Sequence, residues 1–308
     1  MSKKLKSSSL LMVKPSRFVF NSETAKNNTF QHKIEEKEAV VQQRVLEEFD
    51  DFVAKLTAND IQVFVFDDTE KPIKPDAIFP NNWVSFHQDG TVVLYPMYAK
   101  NRRPERRKDI ITSLGDSFKV KKIVDLSNYE KVDRFLEGTG SIVFDYENKI
   151  AYACLSPRTD KDLLLLLCKR LNYKAVYFNA TDEQGIAIYH TNVMMCIGTQ
   201  YAVVCLDSIS DKKECQKVIR ILKDTGHEIV DISFDQMNHF AGNMLELKNN
   251  KDKSVLALSQ SAFDVLTDQQ KKQLNQYTEL LPLAIPTIET IGGGSARCMI
   301  AEIFLQNQ

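Results

Sequence analysis

One unit of predicted secondary structure recurs along this 308-residue sequence and limits the folds that it can adopt. The unit is a β-hairpin, then a helix, then a short apolar strand. Hairpins are predicted at NWVSFHQDGTVVLYPM, SIVFDYENKIAYACLS, NVMMCIGTQYAVVCL and NMLELKNNKDKSVLALS, and the first of them turns at Asp89-Gly90. Helical periodicity follows at residues 103–114, 160–171, 211–225 and 262–277, and the closing strands are KKIVDL, KAVYFN, EIVDIS and LLPLAIP. The sequence thus predicts four copies of one unit.

A fifth copy is predicted from the two ends of the chain. Its hairpin would pair the C-terminal MIAEIFL with the N-terminal LLMVKPSRFVF, and the helix at 35–58 and the strand IQVFVF would complete it. The copies share a pattern of elements without obvious residue identity. We therefore predict an α/β (α+β) fold: a pseudo-symmetric propeller of five ββαβ units, closed by the terminal strands. Residues 1–308 would form a single catalytic domain, with residues 1–9 as a disordered tail.

Composition excludes several functional classes. Hydrophobic residues make up 43% of the chain, which is enough for a sizeable core, and the net charge of -1 argues against a nucleic-acid or anionic-membrane footprint. No apolar run is long enough to span a membrane, and LLMV is too short for a signal peptide. The six cysteines lack CxxC pairs and zinc-ligand spacing. We expect a cytoplasmic protein without a metal or cofactor.

Polar residues of chemical interest fall at matching points of the five units. Asn82, Glu137, His190, Asn243 and Cys298 each stand at or just before the start of a hairpin, at intervals of 55, 53, 53 and 55 residues. In a radially repeated fold, equivalent positions lie around one axis. We therefore expect these five side chains to converge on a central pocket.

A cysteine and a histidine in one pocket indicate a nucleophile with its general acid/base. Cys298 follows the glycine-rich IGGGSAR, a poor place for a core and a suitable place for close approach to a ligand. Each residue also has a purely structural interpretation. Cys298 could be a small buried hydrophobe, His190 a hydrogen-bonded core histidine and Glu137 a turn carboxylate. Their joint placement favours catalysis.

These residues resemble the guanidine-modifying (pentein) superfamily of arginine deiminases, agmatine deiminases, dimethylargininases and amidinotransferases. LEGTGSIVF resembles its Glu-Gly-Gly strand entry, which implies that Glu137 orients the histidine. YHTNVMMCIG resembles its His-x-Asp strand, which implies that His190 is the general acid/base. GGGSARC is similar to its cysteine loop, which implies that Cys298 is the nucleophile. The family fold is a five-bladed ββαβ propeller, in agreement with the unit count.

The resemblance also implies residues that bind the substrate backbone. PDAIFPNNW resembles the dimethylargininase stretch whose aspartate contacts the α-amino group, here Asp76. CLSPRTD resembles the segment whose arginine binds the α-carboxylate, here Arg158. NRRPERR resembles a basic segment at the same end, with Arg103 the better candidate and Arg102 beside it. NNTFQ lies where the family has a mobile flap, which adds Gln31.

Two departures from the family point to a neutral substrate head. Asn81 and Asn82 lie where dimethylargininases have acids, and Asn192 replaces the aspartate of His-x-Asp. Loss of the carboxylates that surround a desolvated guanidinium costs on the order of 2–5 kcal/mol. An amide offers both a donor and an acceptor, which suits the neutral ureido group of citrulline.

FPNNW and NHFAGN resemble the citrulline-utilisation hydrolases of this family. The implied reaction is attack of Cys298 on the ureido carbon, with ornithine, ammonia and carbon dioxide as products. Asn243 would either line the pocket or serve only to form a turn.

Several alternatives stay open at the level of sequence. Within the family, the chain could be a deiminase, dimethylargininase or amidinotransferase that acts on an arginine derivative. Outside it, the chain could be a non-catalytic binding protein on the same propeller or a thiol protease. The partner expected is a free amino acid, without nucleic acid or membrane, and a homodimer is one option for the assembly.

Overall fold

The computed structural model describes residues 9–308. Within them the strands are β1 Ser9–Lys14, β2 Gln62–Asp67, β3 Val84–Phe86, β4 Thr91–Leu94, β5 Lys122–Asp125, β6 Val143–Asp145, β7 Ile150–Cys154, β8 Lys174–Phe178, β9 Met195–Ile197, β10 Tyr201–Val204, β11 Glu228–Asp231, β12 Leu245–Lys248, β13 Ser254–Ser259, β14 Glu279–Leu283 and β15 Ala301–Ile303. The α-helices are α1 Glu38–Ala58, α2 Lys108–Leu114, α3 Gly138–Ser141, α4 Lys161–Leu171, α5 Thr191–Met194, α6 Lys212–Asp224, α7 Phe234–Asn238, α8 Gln260–Val265, α9 Asp268–Leu274 and α10 Pro286–Gly292. Short 3₁₀ turns span Pro80–Asn82, Lys100–Glu105, Ser127–Val132 and Leu206–Ser208.

The tail predicted for residues 1–9 lies outside the described residues except for its last residue. Ser9 begins β1, where it pairs with Ile303 of β15, and its hydroxyl lies 2.9 Å from Oε1 of Gln62. The predicted boundary is therefore wrong at Ser9. The serine-rich composition of the N-terminus concealed the start of the strand.

The strands follow one order in every unit. A hairpin is joined through its second strand to a parallel third strand, as β3–β4–β5, β6–β7–β8, β9–β10–β11 and β12–β13–β14. In the split unit β15 runs antiparallel to β1, and β1 runs parallel to β2. Across residues 9–308 this gives a mixed α/β fold with the predicted ββαβ order, including the unit built from both chain ends.

The split unit and the first unit share one sheet. Ile303 of β15 pairs with Phe86 of β3, which joins the strands β2-β1-β15-β3-β4-β5 into six, whereas the other three units form three-stranded sheets. The C-terminal strand therefore lies inside a sheet, between the N-terminal strand and the first hairpin. Both of its edges are hydrogen-bonded, which fixes the segment that follows Cys298.

Two predicted helices differ from the structure. The helix expected at 262–277 is divided into α8 and α9, because Leu266 is extended and the Thr267 hydroxyl caps a new helix. The helix expected at 103–114 begins as a 3₁₀ turn that contains Pro104, and only α2 is α-helical. The prediction followed apolar spacing in both cases and missed the local cap and the proline.

The apolar core is formed by the buried faces of helices and by buried strands. The face of α1 toward the core repeats at helical spacing and consists of Val41, Val45, Phe49, Phe52 and Leu56. The second hairpin strands β4, β7 and β10 are buried along their whole length. No helix within residues 9–308 combines the length and the hydropathy needed to cross a membrane.

Candidate active site

The predicted site residues lie on short turns that lead into the hairpins. Asn82 ends the 3₁₀ turn before β3, Glu137 precedes α3, and His190 precedes α5. Asn243 stands two residues before β12, and Cys298 stands three residues before β15. Each hairpin therefore presents one polar side chain at its entry, as the spacing predicts.

Two glycines allow the first three turns to approach one another closely. Gly138 has φ +48°, and a Cβ there would lie 2.1 Å from the backbone oxygen of Asn81. A Cβ on Gly140 would lie 2.4 Å from Nδ2 of Asn82 and 2.7 Å from Nδ1 of His190. Both contacts are too short for any side chain. The Asn82 amide and the His190 ring therefore flank the same space above Gly140.

Glu137 and His190 form a buried pair. Oε2 of Glu137 lies 2.8 Å from Nε2 of His190, and its Oε1 accepts the backbone N–H of Tyr98 at 2.9 Å. Nη1 of Arg158 lies 3.5 Å from Oε2. Burial by itself raises the pKa of Glu137, but the charge of Arg158 and the hydrogen bond with His190 outweigh burial and hold that pKa at about 2. Glu137 is therefore an anion at neutral pH.

The protonation of His190 follows from this pair. Burial lowers the pKa of His190 to about 4, against the opposing effect of Glu137. The ring is therefore neutral at pH 7. Because an ionised carboxylate only accepts, Nε2 carries the proton and donates it to Glu137, and Nδ1 keeps its lone pair. That lone pair is on the side of the ring that approaches Gly140 and Asn82.

The thiol of Cys298 is held by two amides. Nδ2 of Asn192 lies 3.4 Å and Nδ2 of Asn243 lies 3.3 Å from its Sγ. The side chain is 4% exposed and packs on one side against apolar neighbours such as Met299 and Ile300. On the other side it meets N–H donors, which stabilise a thiolate. Asn192 is two residues from His190, so its amide connects the cysteine loop to the histidine turn.

The orientation of two amides is fixed by their partners. Oδ1 of Asn82 accepts from Nη1 of Arg102 at 2.9 Å, and a guanidinium can only donate. Nδ2 of Asn82 must therefore face the other way. Oδ1 of Asn243 accepts the backbone N–H of Arg297 at 3.1 Å, which turns its Nδ2 toward Cys298.

Several buried polar atoms of the predicted site lack a hydrogen-bond partner within the described residues. They are Oδ1 of Asp76, both amide atoms of Asn81, Nδ2 of Asn82 and Oδ1 of Asn192. Buried polar atoms are normally paired. A set of orphaned donors and acceptors among the predicted site residues is typical of a binding site, where a ligand supplies the missing partners.

Asp76 belongs to this set. Its Oδ2 accepts from Nδ2 of Asn21 at 2.8 Å and lies 3.4 Å from Nε of Arg102, while its Oδ1 has no hydrogen-bond partner among residues 9–308. Burial raises the pKa of Asp76, and the charge of Arg102 and the bond from Asn21 oppose the rise. The unpartnered Oδ1 can accept from a ligand ammonium.

The three predicted arginines lie in different surroundings. Arg158 is buried, contacts Glu137, and stacks with its Cζ 4.8 Å from the centroid of the Tyr189 ring. Arg102 is also buried and contacts Asn82 and Asp76. Arg103 contacts the backbone oxygen of Met97 and the carboxylate of Glu130, with a quarter of its side chain exposed. The structure thus brings Arg102 to the cluster, whereas the sequence interpretation favoured Arg103.

Gln31 lies against the cysteine loop. Its Nε2 donates to the backbone oxygen of Ile291 at 3.2 Å, and its Oε1 accepts from Thr24 at 2.7 Å. The side chain therefore anchors the segment around residue 31 and does not itself reach Cys298 in these contacts.

Sequence reasoning missed other residues of this site. The Tyr189 hydroxyl donates to the backbone oxygen of Gly293 at 2.7 Å and so ties the histidine turn to the glycine loop. Asn21 and Asn27 contact Asp76 and Arg158. The polar run NSETAKNN, in a region without predicted secondary structure, was the available signal for the two asparagines.

A comparison with protein families identifies the family to which the chain belongs. The model of the family described as N,N dimethylarginine dimethylhydrolase, eukaryotic, matches residues 14–305. The chain belongs to this family. The match confirms the predicted resemblance to guanidine-modifying enzymes of the dimethylargininase type. A comparison with curated proteins gave no match.

Solved structures of the same fold include enzymes of arginine metabolism. The N-terminal domain of ArgZ, an arginine dihydrolase from the ornithine–ammonia cycle in cyanobacteria, was solved as a mutant bound to substrate. It is similar with a TM-score of 0.74 and 18% identity, over 96% of this chain and 99% of that one. Full-length apo ArgZ gives a TM-score of 0.73 at 18% identity over 96% of this chain. This chain spans about 40% of the length of that protein.

A dimethylarginine dimethylaminohydrolase is also similar, in a mutant that carries an adduct with S-methyl-L-thiocitrulline. Its TM-score is 0.64 at 12% identity, over 96% of this chain and 99% of that one. At these identities the likeness shows the fold.

Proposed function

We propose that this protein is a cysteine-dependent hydrolase of free citrulline, with ornithine, ammonia and carbon dioxide as products. One observation carries the proposal. The side chains that donate to the thiol are the amides of Asn192 and Asn243, and a third amide, Asn82, flanks the His190 ring, whereas the carboxylates of Glu137 and Asp76 each lie beside a guanidinium. A neutral substrate head is therefore favoured over a cation.

The orphaned amide atoms match a ureido group. Nδ2 of Asn82 can donate to the ureido oxygen, and Oδ1 of Asn192 can accept from a ureido N–H. A guanidinium has only donors, so it would leave Nδ2 of Asn82 without an acceptor. At the other end of the substrate, Oδ1 of Asp76 would accept from the α-ammonium group, and Arg158 would bind the α-carboxylate.

The first chemical step would form a bond between Sγ of Cys298 and the ureido carbon. Nδ1 of His190 would take the thiol proton and deliver it to the terminal nitrogen, which leaves as ammonia. The product is an S-carbamoyl adduct in which the ornithine nitrogen stays attached. Glu137 would stabilise the transient imidazolium through its bond with Nε2.

The second step would release the adduct. Water loses a proton to Nδ1 of His190 and attacks the same carbon, the C–S bond breaks, and the proton returns to the cysteine. The carbamate of ornithine then decays to ornithine and carbon dioxide. Asn192 and Asn243 would stabilise the sulfur anion in both steps through their N–H donors.

We also propose that the five ββαβ units form a five-bladed propeller in a single catalytic domain. The protein would be cytoplasmic, and a homodimer is one option for its assembly. The arrangement of site residues at the entries of successive hairpins supports the propeller.

A second candidate is a hydrolase that acts on arginine or on dimethylarginine. The matched family model and the solved arginine dihydrolase favour it. The side chains that donate to Cys298 are amides, and Asp76 and Glu137 each lie beside an arginine of the chain. A guanidinium at the thiol would therefore face amide groups in place of carboxylates. A transferase or a non-catalytic protein is less well supported.

The test measures ammonia and ornithine from L-citrulline, L-arginine and dimethylarginine with the same enzyme preparation. Citrulline should give equal amounts of ornithine and ammonia, at a higher kcat/KM than either guanidine. Cys298→Ala should abolish turnover, whereas Cys215→Ala, at a partly buried cysteine on α6 outside the set of predicted site residues, should keep it. Faster turnover of arginine than of citrulline would favour the second candidate.

A further inference from the structure

The segment of residues 21–31, called the flap below, lies over the predicted site. Asn28 donates through Nδ2 to the backbone oxygen of Gly293 at 3.1 Å, and Gln31 donates to Ile291. Asn21 donates to Oδ2 of Asp76 at 2.8 Å. The flap is therefore tied to the cysteine loop at one end and to the predicted α-amino group binder at the other.

Within the flap, Asn27 contacts the guanidinium of Arg158. Oδ1 of Asn27 accepts from Nε at 2.9 Å and also from Nη2, which in addition donates to the backbone oxygen of Thr24 at 3.0 Å. The remaining nitrogen, Nη1, faces Glu137 at 3.5 Å. One neutral amide oxygen thus takes the two N–H donors that a guanidinium normally presents to a carboxylate.

The two ends of the predicted substrate site therefore differ. At Asp76 the flap takes Oδ2, and Oδ1 has no hydrogen-bond partner in the part of the chain that the structure describes. At Arg158 the flap and Glu137 together contact all three nitrogens of the guanidinium. The position for an α-ammonium group at Asp76 is open, whereas the edge of Arg158 formed by Nε and Nη2, where a carboxylate would bind, is taken by Asn27.

We propose that Asn27 competes with substrate for the guanidinium of Arg158. The α-carboxylate of a substrate would bind Arg158 only by displacing the Asn27 amide. The proposal rests on the proposed function in one respect, the role of Arg158 as the carboxylate binder. A buried guanidinium needs a partner when the site is empty. Asn27 supplies that partner and keeps Arg158 beside Glu137.

The exchange favours ligands that carry a carboxylate. A carboxylate forms two charge-assisted bonds with a guanidinium, and such bonds are shorter and stronger than those of a neutral amide. A ligand without a carboxylate offers Arg158 no charged acceptor to replace Oδ1 of Asn27. The chemical class selected is an α-amino acid, whatever its side-chain head.

The test uses the full chain with Cys298→Ala, which prevents turnover, and calorimetric binding of L-citrulline, L-arginine and L-ornithine. Asn27→Ala removes the competitor and should tighten binding of the ligands by about threefold or more. Asn27→Asp places a carboxylate on Arg158 permanently and should weaken binding about tenfold or more. Asn28→Ala, which loosens the flap but leaves Arg158 occupied, should not tighten binding.

The outcomes separate the exchange from the choice of substrate. Weaker or unchanged binding in Asn27→Ala means that Asn27 stays in place with ligand bound, and it overturns the proposal. If arginine or ornithine binds and citrulline does not, the citrulline assignment fails while the exchange is still tested on the other two. If none of the three amino acids binds, Arg158 is not a carboxylate binder and both proposals fall.

A second measurement does not depend on the variants. Backbone hydrogen exchange in residues 21–31 should change when L-ornithine is added to the protein. It should stay the same when putrescine, the same molecule without the carboxylate, is added at equal concentration. Equal responses to both ligands would contradict exchange at Arg158.

Discussion

Nε2 of His190 lies 2.8 Å from Oε2 of Glu137, and both side chains are buried. The ion pair that this contact suggests is not the resting state. Because the pKa of His190 is lowered to about 4 and that of Glu137 is held at about 2, the resting pair at neutral pH is a carboxylate with a neutral imidazole. Nδ1 is then a free base on the side of the ring that approaches Gly140 and Asn82, and Glu137 lies where it can stabilise the protonated ring.

The stability of the protein should fall in acid because of this pair. Folding lowers the pKa of His190. As the pH falls from about 6.5 to about 4, this histidine is therefore protonated in the unfolded chain but still neutral in the folded one, which favours unfolding. Glu137 also has a lowered pKa, and its contribution is present above about 4.5 and lost toward about 2. The two groups titrate as a coupled pair.

The measurement is the denaturant midpoint between pH 7 and pH 4. It should decrease with falling pH in the wild type and decrease less in His190→Gln, which cannot take up the proton. His239→Gln, on an exposed histidine, is the matched control and should keep the wild-type slope. An unchanged slope in His190→Gln would mean that His190 titrates normally in the folded protein.

Asn82→Asp should shift the substrate preference toward guanidines. The new carboxylate would lie between Arg102 and the space beside His190, where it can pair with a guanidinium and repel the ureido oxygen. We expect the ratio of kcat/KM for arginine over citrulline to rise about tenfold or more, equivalent to about 1.4 kcal/mol.

The control for this change is Asn275→Asp, which adds the same negative charge at an exposed position just after α9. Both variants are assayed with both amino acids by ammonia release. If Asn82→Asp leaves the ratio as in the wild type, Asn82 does not contact the substrate head.

Asn243→Ala should slow the reaction at the sulfur. The variant removes one of two N–H donors to Cys298 and the acceptor of the Arg297 backbone N–H. A lost hydrogen bond to an anion costs about 1.5–3 kcal/mol, so kcat should fall at least about tenfold. Steady-state kinetics measures the effect, with Asn179→Ala, which removes an exposed side-chain amide that donates to Glu214, as the control. A normal kcat would show that this donor is not used in the reaction.

Gly140→Ala should lower kcat about a hundredfold through a steric effect. The added methyl group would lie 2.4 Å from Nδ2 of Asn82 and 2.7 Å from Nδ1 of His190, so one of the two must move. A displacement of about 1 Å at a reacting group can cost about a hundredfold in rate. Gly185→Ala provides the comparison, since its Cβ meets nothing within 4 Å and its φ of +78° affects stability alone. Wild-type kcat in Gly140→Ala would exclude the proposed placement of the imidazole.

The sequence predicted the order of elements better than their limits. Alternation of apolar residues and the Asp89-Gly90 turn identify the first hairpin, and the split unit follows from the leftover terminal strands, which pair as expected. The division at Leu266 and the joining of β15 to β3 were missed. Both depend on local capping and on contacts between distant units, which periodicity along one segment does not encode.

The site was also predicted only in part from the sequence. Regular intervals placed Glu137 and His190 at the entries of successive hairpins, and the structure shows them in contact. Spacing could not predict that Arg102 is buried against Asn82 while Arg103 is partly exposed, because the direction of a side chain in an irregular turn depends on its packing. The contact of Asn27 with Arg158 was not predicted for the same reason, because the flap is irregular and shows no helical or strand periodicity.

The central claim is that Cys298 attacks the substrate and carries it as a covalent adduct. The most direct measurement is mass spectrometry of protein quenched in acid during turnover of L-citrulline. We predict that the peptide with Cys298 gains the mass of citrulline less ammonia, and that His190→Gln changes the amount of this adduct. Steady turnover of citrulline by Cys298→Ala, with no mass gain on any cysteine of the wild type, would contradict the account.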